Sequence, residues 1–533
     1  MLRMSCYFVS RELLAFALFG ADVSRAADTV TLGIRPYWLL EKMNPSSLKD
    51  SLDITLIPRS LLSKSLATEE CAATKTSWAV TDMTIGHRGG ATMQMPEHTI
   101  ENYKAGAMMG AGVIECDVTF TSDLELVCRH SQCDLHTTTD VVLHDELNAK
   151  CTIPWEAGNE PKCCTSDFTL EELKGLCKTN QSVIVSCNIS NSTSLTNVLL
   201  ADHTSGAKMD SSGGTSATTA MEYVYGGTAD WRTDLYQYPC PEVVTHKEYI
   251  KLVQSLGRKF TPELKTPSVD MPFNGMTQED YAQKMIDEYI ELGVAPEDLY
   301  PQSFLPSDTY YWVANSGEYG AQSVALDETD RNETAARAFH DELIANGVKI
   351  VAPAQQMLVR PAEEGEDSEL GIVPSVYAES AIDHNLDIIT WTLERSPPGL
   401  KVGDPPGLTI DDLWYWSSLQ SLNLTDGSNF ELLHVLIHDI GVIGVFTDWA
   451  PTVTFYANCM GVGFNASSEA AKDDSISDGS SATVDISNIA EDLKNVSSDS
   501  VEVKSTDSSS SGAARALRVA ARLASIVVRA AGF

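Results

Sequence analysis

Three short runs hold residue types suited to proton and phosphate chemistry. In the first, Ile85-Gly86-His87-Arg88-Gly89-Gly90, a β-like run ends in a histidine and an arginine at a glycine turn, and Pro96-Glu97-His98-Thr99 follows. An imidazole can carry a proton near neutral pH, and a guanidinium can grip a phosphate with two parallel N–H donors. In the second, Val113-Ile114-Glu115-Cys116-Asp117-Val118, two carboxylates sit two residues apart. In a strand they share one face. Two carboxylates on an inward face repel unless protonated or bridged by a cation, and a hard divalent ion suits oxygen ligands. A nearby run from Leu124 to Arg129 ends at His130, a second proton carrier. In the third, Phe260-Thr261-Pro262-Glu263-Leu264-Lys265, Glu263 is placed to complete the cation site and Lys265 to neutralise phosphate charge.

These runs need a scaffold that brings their ends together. Between residues 84 and 456, short β-branched-rich segments alternate with helix-like ones. Strands are expected near 83–87, 112–118, 124–129, 258–264, 298–302, 322–326, 348–352, 387–392 and 442–447. Helices are expected at 99–109, 169–177, 277–291, 333–346, 375–384 and 410–420, with Thr99 as an N-cap and Gly110 as a stop. This alternation predicts an α/β fold, a parallel sheet closed into a TIM (β/α)8 barrel, in which strand C-termini face the active-site mouth. That leaves one strand too many. The link Thr119 to Asp123 is too short for a parallel crossover, so 112–118 and 124–129 read as a hairpin above the mouth.

The rest of the chain is organised around this barrel. Arg3 and Arg11 precede the apolar stretch Leu13 to Val23, and Ser24-Arg25-Ala26 offers small residues for cleavage, so residues 1–26 read as an export signal. Residues 27–80 form a leader with β-like runs at 29–33 and 54–57. Residues 131–250 are a long Cys- and Ser-rich insertion within the 81–460 barrel unit. An Asp/Ser-rich tail at 461–511 is expected to be disordered. Residues 512–533 carry Arg515, Arg518, Arg522 and Arg529 among apolar residues, as in a membrane-surface helix or an imperfect GPI-attachment signal.

Twelve cysteines without paired CxxC knuckles fit disulfides in a secreted chain. Cys128 and Cys133 flank His130 and form a candidate pair fixing its loop. Sequons at Asn180, Asn188, Asn191, Asn332, Asn423, Asn465 and Asn495 fit the same compartment. Secretion, with surface attachment as the variant, is the expectation. The 533 residues hold 74 acidic and 37 basic side chains, a net charge of -37. That balance disfavours nucleic acid as a partner. His434 and His438 are spaced i,i+4 but lack the glutamate of a zincin helix, so they read as incidental.

In order, His87-Arg88-Gly89, Pro96-Glu97-His98-Thr99, Glu115-Cys116-Asp117 and Glu263-Leu264-Lys265 resemble the HRG, PENT, ExD and ExK motifs of the glycerophosphodiester phosphodiesterase family. Leu135-His136-Thr137-Thr138, Gln302-Ser303-Phe304, Trp391-Thr392 and Gly444-Val445-Phe446-Thr447-Asp448 are further echoes. The resemblance implies a TIM barrel that hydrolyses glycerophosphodiesters to an alcohol and glycerol 3-phosphate, with a lysophospholipid as the alternative substrate. It implies Glu115, Asp117 and Glu263 as ligands of Mg²⁺ or Ca²⁺ and His87 and His130 as the acid/base pair. Arg88 and Lys265 would hold the phosphate, with Glu97 and Trp391 in support. The family's HD is His130-Ser131 here, with Asp134 a candidate replacement for the acid. The Asn of PENT is His98, and the Arg of LxRTT is His136. A phospholipase D or C of related barrel type, or an inactive barrel serving as a surface binding protein, are the alternatives.

Overall fold

The computed structural model describes residues 30–52, 77–176, 218–220, 223, 242–366, 368–399 and 410–463. These lie within one of the two compact units of the chain, Met1–Ser468. The export signal, the 54–57 run, most of the insertion, five of the sequons and everything past residue 463 lie outside the described residues.

Eight parallel strands close on themselves. In chain order the strands are β1 (Thr81–Gly86), β2 (Ala111–Phe120), β3 (Leu126–Cys128), β4 (Lys259–Leu264), β5 (Gln302–Ser303), β6 (Val324–Asp327), β7 (Ile350–Pro353), β8 (Val359–Pro361), β9 (Ile372–Pro374), β10 (Asp387–Leu393) and β11 (Gly444–Thr447). The sheet runs β1-β2-β4-β5-β6-β7-β10-β11, and β1 pairs with β11 to seal the barrel. β3 lies outside, antiparallel to β2, with Val118 opposite Cys128. This is the hairpin that the short connection requires. β8 and β9 form a separate two-stranded ribbon.

Helix starts are written locally. Thr99, Thr245, Thr277, Asn332 and Ser375 each accept a backbone N–H with a side-chain oxygen. They open the helices Ile100–Met108, His246–Ser255, Gln278–Glu291, Glu333–Ala345 and Val376–Asp383. Apolar side chains inside the barrel, among them Ile85, Val113, Leu326, Ile350, Ile389 and Phe446, pack as one cluster. Larger clusters lie between sheet and helices.

Several expectations change. The strand expected at 298–302 shrinks to Gln302–Ser303, because Pro296–Asp298 forms a 3-10 turn and Pro301 has no N–H for the ladder. Residues 30–33 are not a strand. They run into the helix Arg35–Lys42, and Val30 and Leu32 are buried. The segment Ile410–Leu419 is 3-10 rather than α. Helices at His246–Ser255, Pro306–Asn315, Ser428–His434 and Ala450–Met460 complete the alternation.

The expected Cys128–Cys133 disulfide is not formed. Cys128 pairs with Cys116, Cys133 with Cys164 and Cys151 with Cys163. The hairpin register explains the first pair. Cys128 faces Val118, and Cys116 lies two residues back on the same face of β2. Cys459 is also disulfide-bonded.

The turn after β1 packs on the helix that follows. A Cβ on Gly106 would lie 1.8 Å from the Gly89 carbonyl oxygen. Gly106→Ala must therefore push the His87–Gly89 turn away. The expected result is a loss of about 1–3 kcal/mol in thermal unfolding, together with lower activity because His87 and Arg88 move with that turn.

Candidate functional site

β1 delivers His87 and Arg88 to the C-terminal mouth through a single 3-10 turn, His87–Gly89. Arg88 has φ 49 and His98 has φ 55, both left-handed without being glycine. Such strain gathers at functional sites when packing enforces it. Here Arg88 N donates to Glu115 Oε2 at 2.8 Å, and His98 N donates to the Arg88 carbonyl. The turn is thereby tied to β2 and to the Pro96–Thr99 segment.

β2 alternates as its sequence requires. Glu115 and Asp117 face the mouth while Cys116 points behind them into its disulfide. β4 pairs in register with Asp117 opposite Glu263. Carboxylate oxygens of Glu115, Asp117 and Glu263 consequently lie within 4.8 Å of one another, all three residues buried.

Their electrostatics are those of crowded anions. Burial, then Asp117 and Glu263, push the Glu115 carboxyl well above its ordinary range. Burial raises Glu263 to about 8. Burial works against the Asp117 carboxylate too, but Lys265 and His98 outweigh it and hold that group well below the usual range. His98 Nε2 lies 2.8 Å from Asp117 Oδ2, and Lys265 Nζ lies 2.5 Å from Glu263 Oε1. Asp117 Oδ1 is buried without a hydrogen-bond partner. Three oxygen donors that repel each other and one orphaned oxygen fit a hard divalent cation.

His87 and His130 flank this cluster. His87 Nδ1 donates to Asp448 Oδ1 at 2.6 Å, and its Nε2 lies 3.8 Å from Glu115 Oε2. Burial and the neighbouring Arg88 lower His87 to about 4. His130 is half-buried and makes no side-chain hydrogen bond among the described residues. Burial, Arg88 and Lys265 hold it well below the ordinary imidazole value. Both rings are therefore neutral near pH 7.

The supporting residues expected from sequence take definite places. Glu97 accepts from Arg88 Nη1 at 2.8 Å. Trp391 donates its Nε1 to the Ala352 carbonyl and packs against Phe304 and Trp414 at the mouth. Asp134 does not replace the missing acid as a partner of His130. Its carboxylate accepts from Ser131 N and its backbone carbonyl from Thr137 Oγ1, while His136 accepts from Cys163 N in the insertion.

Several residues at the site carried no role in the sequence reading. Asp448 holds His87. Arg395 donates from Nη1 to Glu97 Oε1 at 2.7 Å and to Asp448 Oδ2 at 3.0 Å. Gln302 donates to Glu115 Oε1 at 3.1 Å. His98, seen from sequence only as a departure, is a partner of Asp117. Arg395 lies two residues past the end of β10, and a charged residue at the C-terminal end of a barrel strand was the available signal.

A closed eight-stranded parallel barrel with its polar cluster at the strand C-termini defines a TIM barrel. The signature of the glycerophosphoryl diester phosphodiesterase family matches residues 87–450. A relative from Arthroderma benhamiae, named "Extracellular protein", is 39% identical over 251 residues, covering 46% of this chain and 96% of that protein. Glycerophosphodiester phosphodiesterase GDPD6 of Arabidopsis thaliana is 38% identical over 93 residues, 17% of this chain and 24% of that one. An Oleispira antarctica phosphodiesterase, solved with the product sn-glycerol-3-phosphate, is 14% identical, covers 70% of this chain and 96% of its own, and has a TM-score of 0.38. The chain belongs to the glycerophosphoryl diester phosphodiesterase family.

Asp448→Asn keeps the size of the side chain but removes the charge that orients His87. Expected is a fall in turnover on the order of 10²-fold or more, with the fold retained by circular dichroism.

Proposed function

We propose that this chain hydrolyses glycerophosphodiesters to an alcohol and sn-glycerol 3-phosphate with a divalent cation held by Glu115, Asp117 and Glu263. The observation that carries the reading is the buried three-carboxylate cluster set between two neutral histidines and the cations Arg88 and Lys265.

His87 acts as the base. Asp448 fixes its Nδ1–H, so Nε2 is left to take a proton from the attacking hydroxyl. Water as attacker gives glycerol 3-phosphate directly, whereas the glycerol 2-hydroxyl gives a cyclic phosphate that a water then opens to glycerol phosphate. His130 acts as the acid toward the leaving alkoxide. Burial lowers His130 most, and a phosphodiester anion seated between Arg88 and Lys265 offsets the two cations that lower it further, which shifts the ring back toward the protonated form it needs as an acid. Arg88 is pre-aimed by Glu97, and Lys265 by Glu263. When bound, a divalent cation supplies positive charge that polarises the phosphoryl oxygen and offsets charge developing there. Trp391 and Phe304 give the mouth an apolar wall beside the phosphate site.

We further propose that the protein works outside the cytosol. The three described disulfides and the "Extracellular protein" relative support this. Among the described residues no helix is long and apolar enough to cross a membrane.

The test is release of glycerol 3-phosphate from glycerophosphocholine by the purified chain with Mg²⁺, with Ca²⁺ and with EDTA. Release is expected with one of the cations and not with EDTA. His87→Ala and His130→Ala are each expected to lower kcat by about 10²- to 10⁴-fold. Release that survives both EDTA and His87→Ala would overturn the reading.

A further inference from the structure

Arg395 stands outside every motif by which this family is recognised in the sequence, yet it is buried at the centre of the site, 7% exposed. A single atom, Nη1, bonds two carboxylates from opposite sides of the barrel seam. One is Glu97, whose other oxygen accepts from Arg88 Nη1. The other is Asp448, whose other oxygen accepts from His87 Nδ1. The chain of contacts runs Arg88, Glu97, Arg395, Asp448, His87, and every member is buried.

The electrostatics agree with the geometry. Two buried carboxylates within reach of one nitrogen would repel each other without a cation between them. Each also has two oxygens to spend. With Arg395 taking one from each, the second oxygen of Glu97 is fixed toward Arg88 and the second oxygen of Asp448 toward His87. Without it, the cation between the two carboxylates is gone, and neither is held from the Arg395 side.

We propose that Arg395 is a positioning residue for the phosphodiesterase reaction, holding the orientation of the His87 imidazole and of the Arg88 guanidinium together. This rests on the reading given under Proposed function. Arg395 acts through Asp448 and Glu97 rather than on the reacting atoms. Its loss is therefore expected in kcat more than in KM, because the carboxylate cluster and Lys265, which Arg395 does not touch, still hold the substrate.

The experiment uses the full chain with ¹⁵N-labelled histidine, as wild type, Arg395→Gln and Arg395→Lys. Two readouts are taken. One is the Nδ1–H resonance of His87, assigned by its absence in His87→Gln. The internal control is His246, a buried histidine whose Nδ1 lies 2.8 Å from Glu288 in a different part of the molecule. The other is kcat and KM for glycerophosphocholine with the activating cation.

Expected in Arg395→Gln is a displaced His87 resonance with His246 unmoved, and kcat lowered about 10- to 100-fold with KM within about threefold. Arg395→Lys keeps the charge on a different reach and is expected to fall between the two. An unmoved His87 resonance in the folded variants overturns the proposal whatever the turnover. So does displacement of His87 and His246 together, which marks general loosening. If Arg395→Gln fails to fold, the Lys variant decides on the same criteria. If the wild type releases no glycerol 3-phosphate while its His87 resonance still responds to Arg395, the functional reading falls and the positioning role stands.

Discussion

Three carboxylates are forced together at one end of the barrel, and much of the surrounding structure answers their mutual repulsion. The crowding is not a choice of side-chain conformation. Strand alternation puts Glu115 and Asp117 on one face, and the β2–β4 register sets Glu263 beside Asp117. Lys265, His98 and Arg88 then surround the group with donors. Such an arrangement costs stability when nothing positive is bound between the oxygens, and it gains affinity for any hard cation that is.

A second layer of charge holds the first in place. Arg395 joins Glu97 to Asp448, and those two hold Arg88 and His87. The hairpin of β2 and β3 places His130 on the far side of the cluster. The Cys116–Cys128 disulfide pins that hairpin from behind, using the residue between Glu115 and Asp117. One short segment of β2 thus supplies two of the three clustered carboxylates and the anchor for the second histidine's strand.

Much of this was legible in the sequence, and the boundary has a physical cause. ExD and ExK show their shared faces through period-two alternation alone, and Thr99 announces its helix through its hydroxyl. Local chemistry also identified the hairpin, since five residues cannot make a parallel crossover. Contacts that depend on barrel closure were not legible. Asp448 reaches His87 across 361 positions, and Arg395 reaches Glu97 across 298. Nothing near either residue states which strand will lie beside which. The disulfide partner of Cys128 failed for a related reason. Proximity in sequence favoured Cys133, whereas strand register decides which side chains face each other.

Closure of the barrel by β1 against β11 also sets an order in time. β1 carries His87 and emerges early from the ribosome. Asp448, which orients that histidine, follows the last strand and emerges more than three hundred residues later. The His87–Asp448 pair therefore has no existence on a partly made chain, however well its first strands have formed. A polypeptide still being synthesised lacks it until its final strand docks, and a chain cut anywhere between the two ends of the seam loses the covalent link that brings the orienting carboxylate to its histidine.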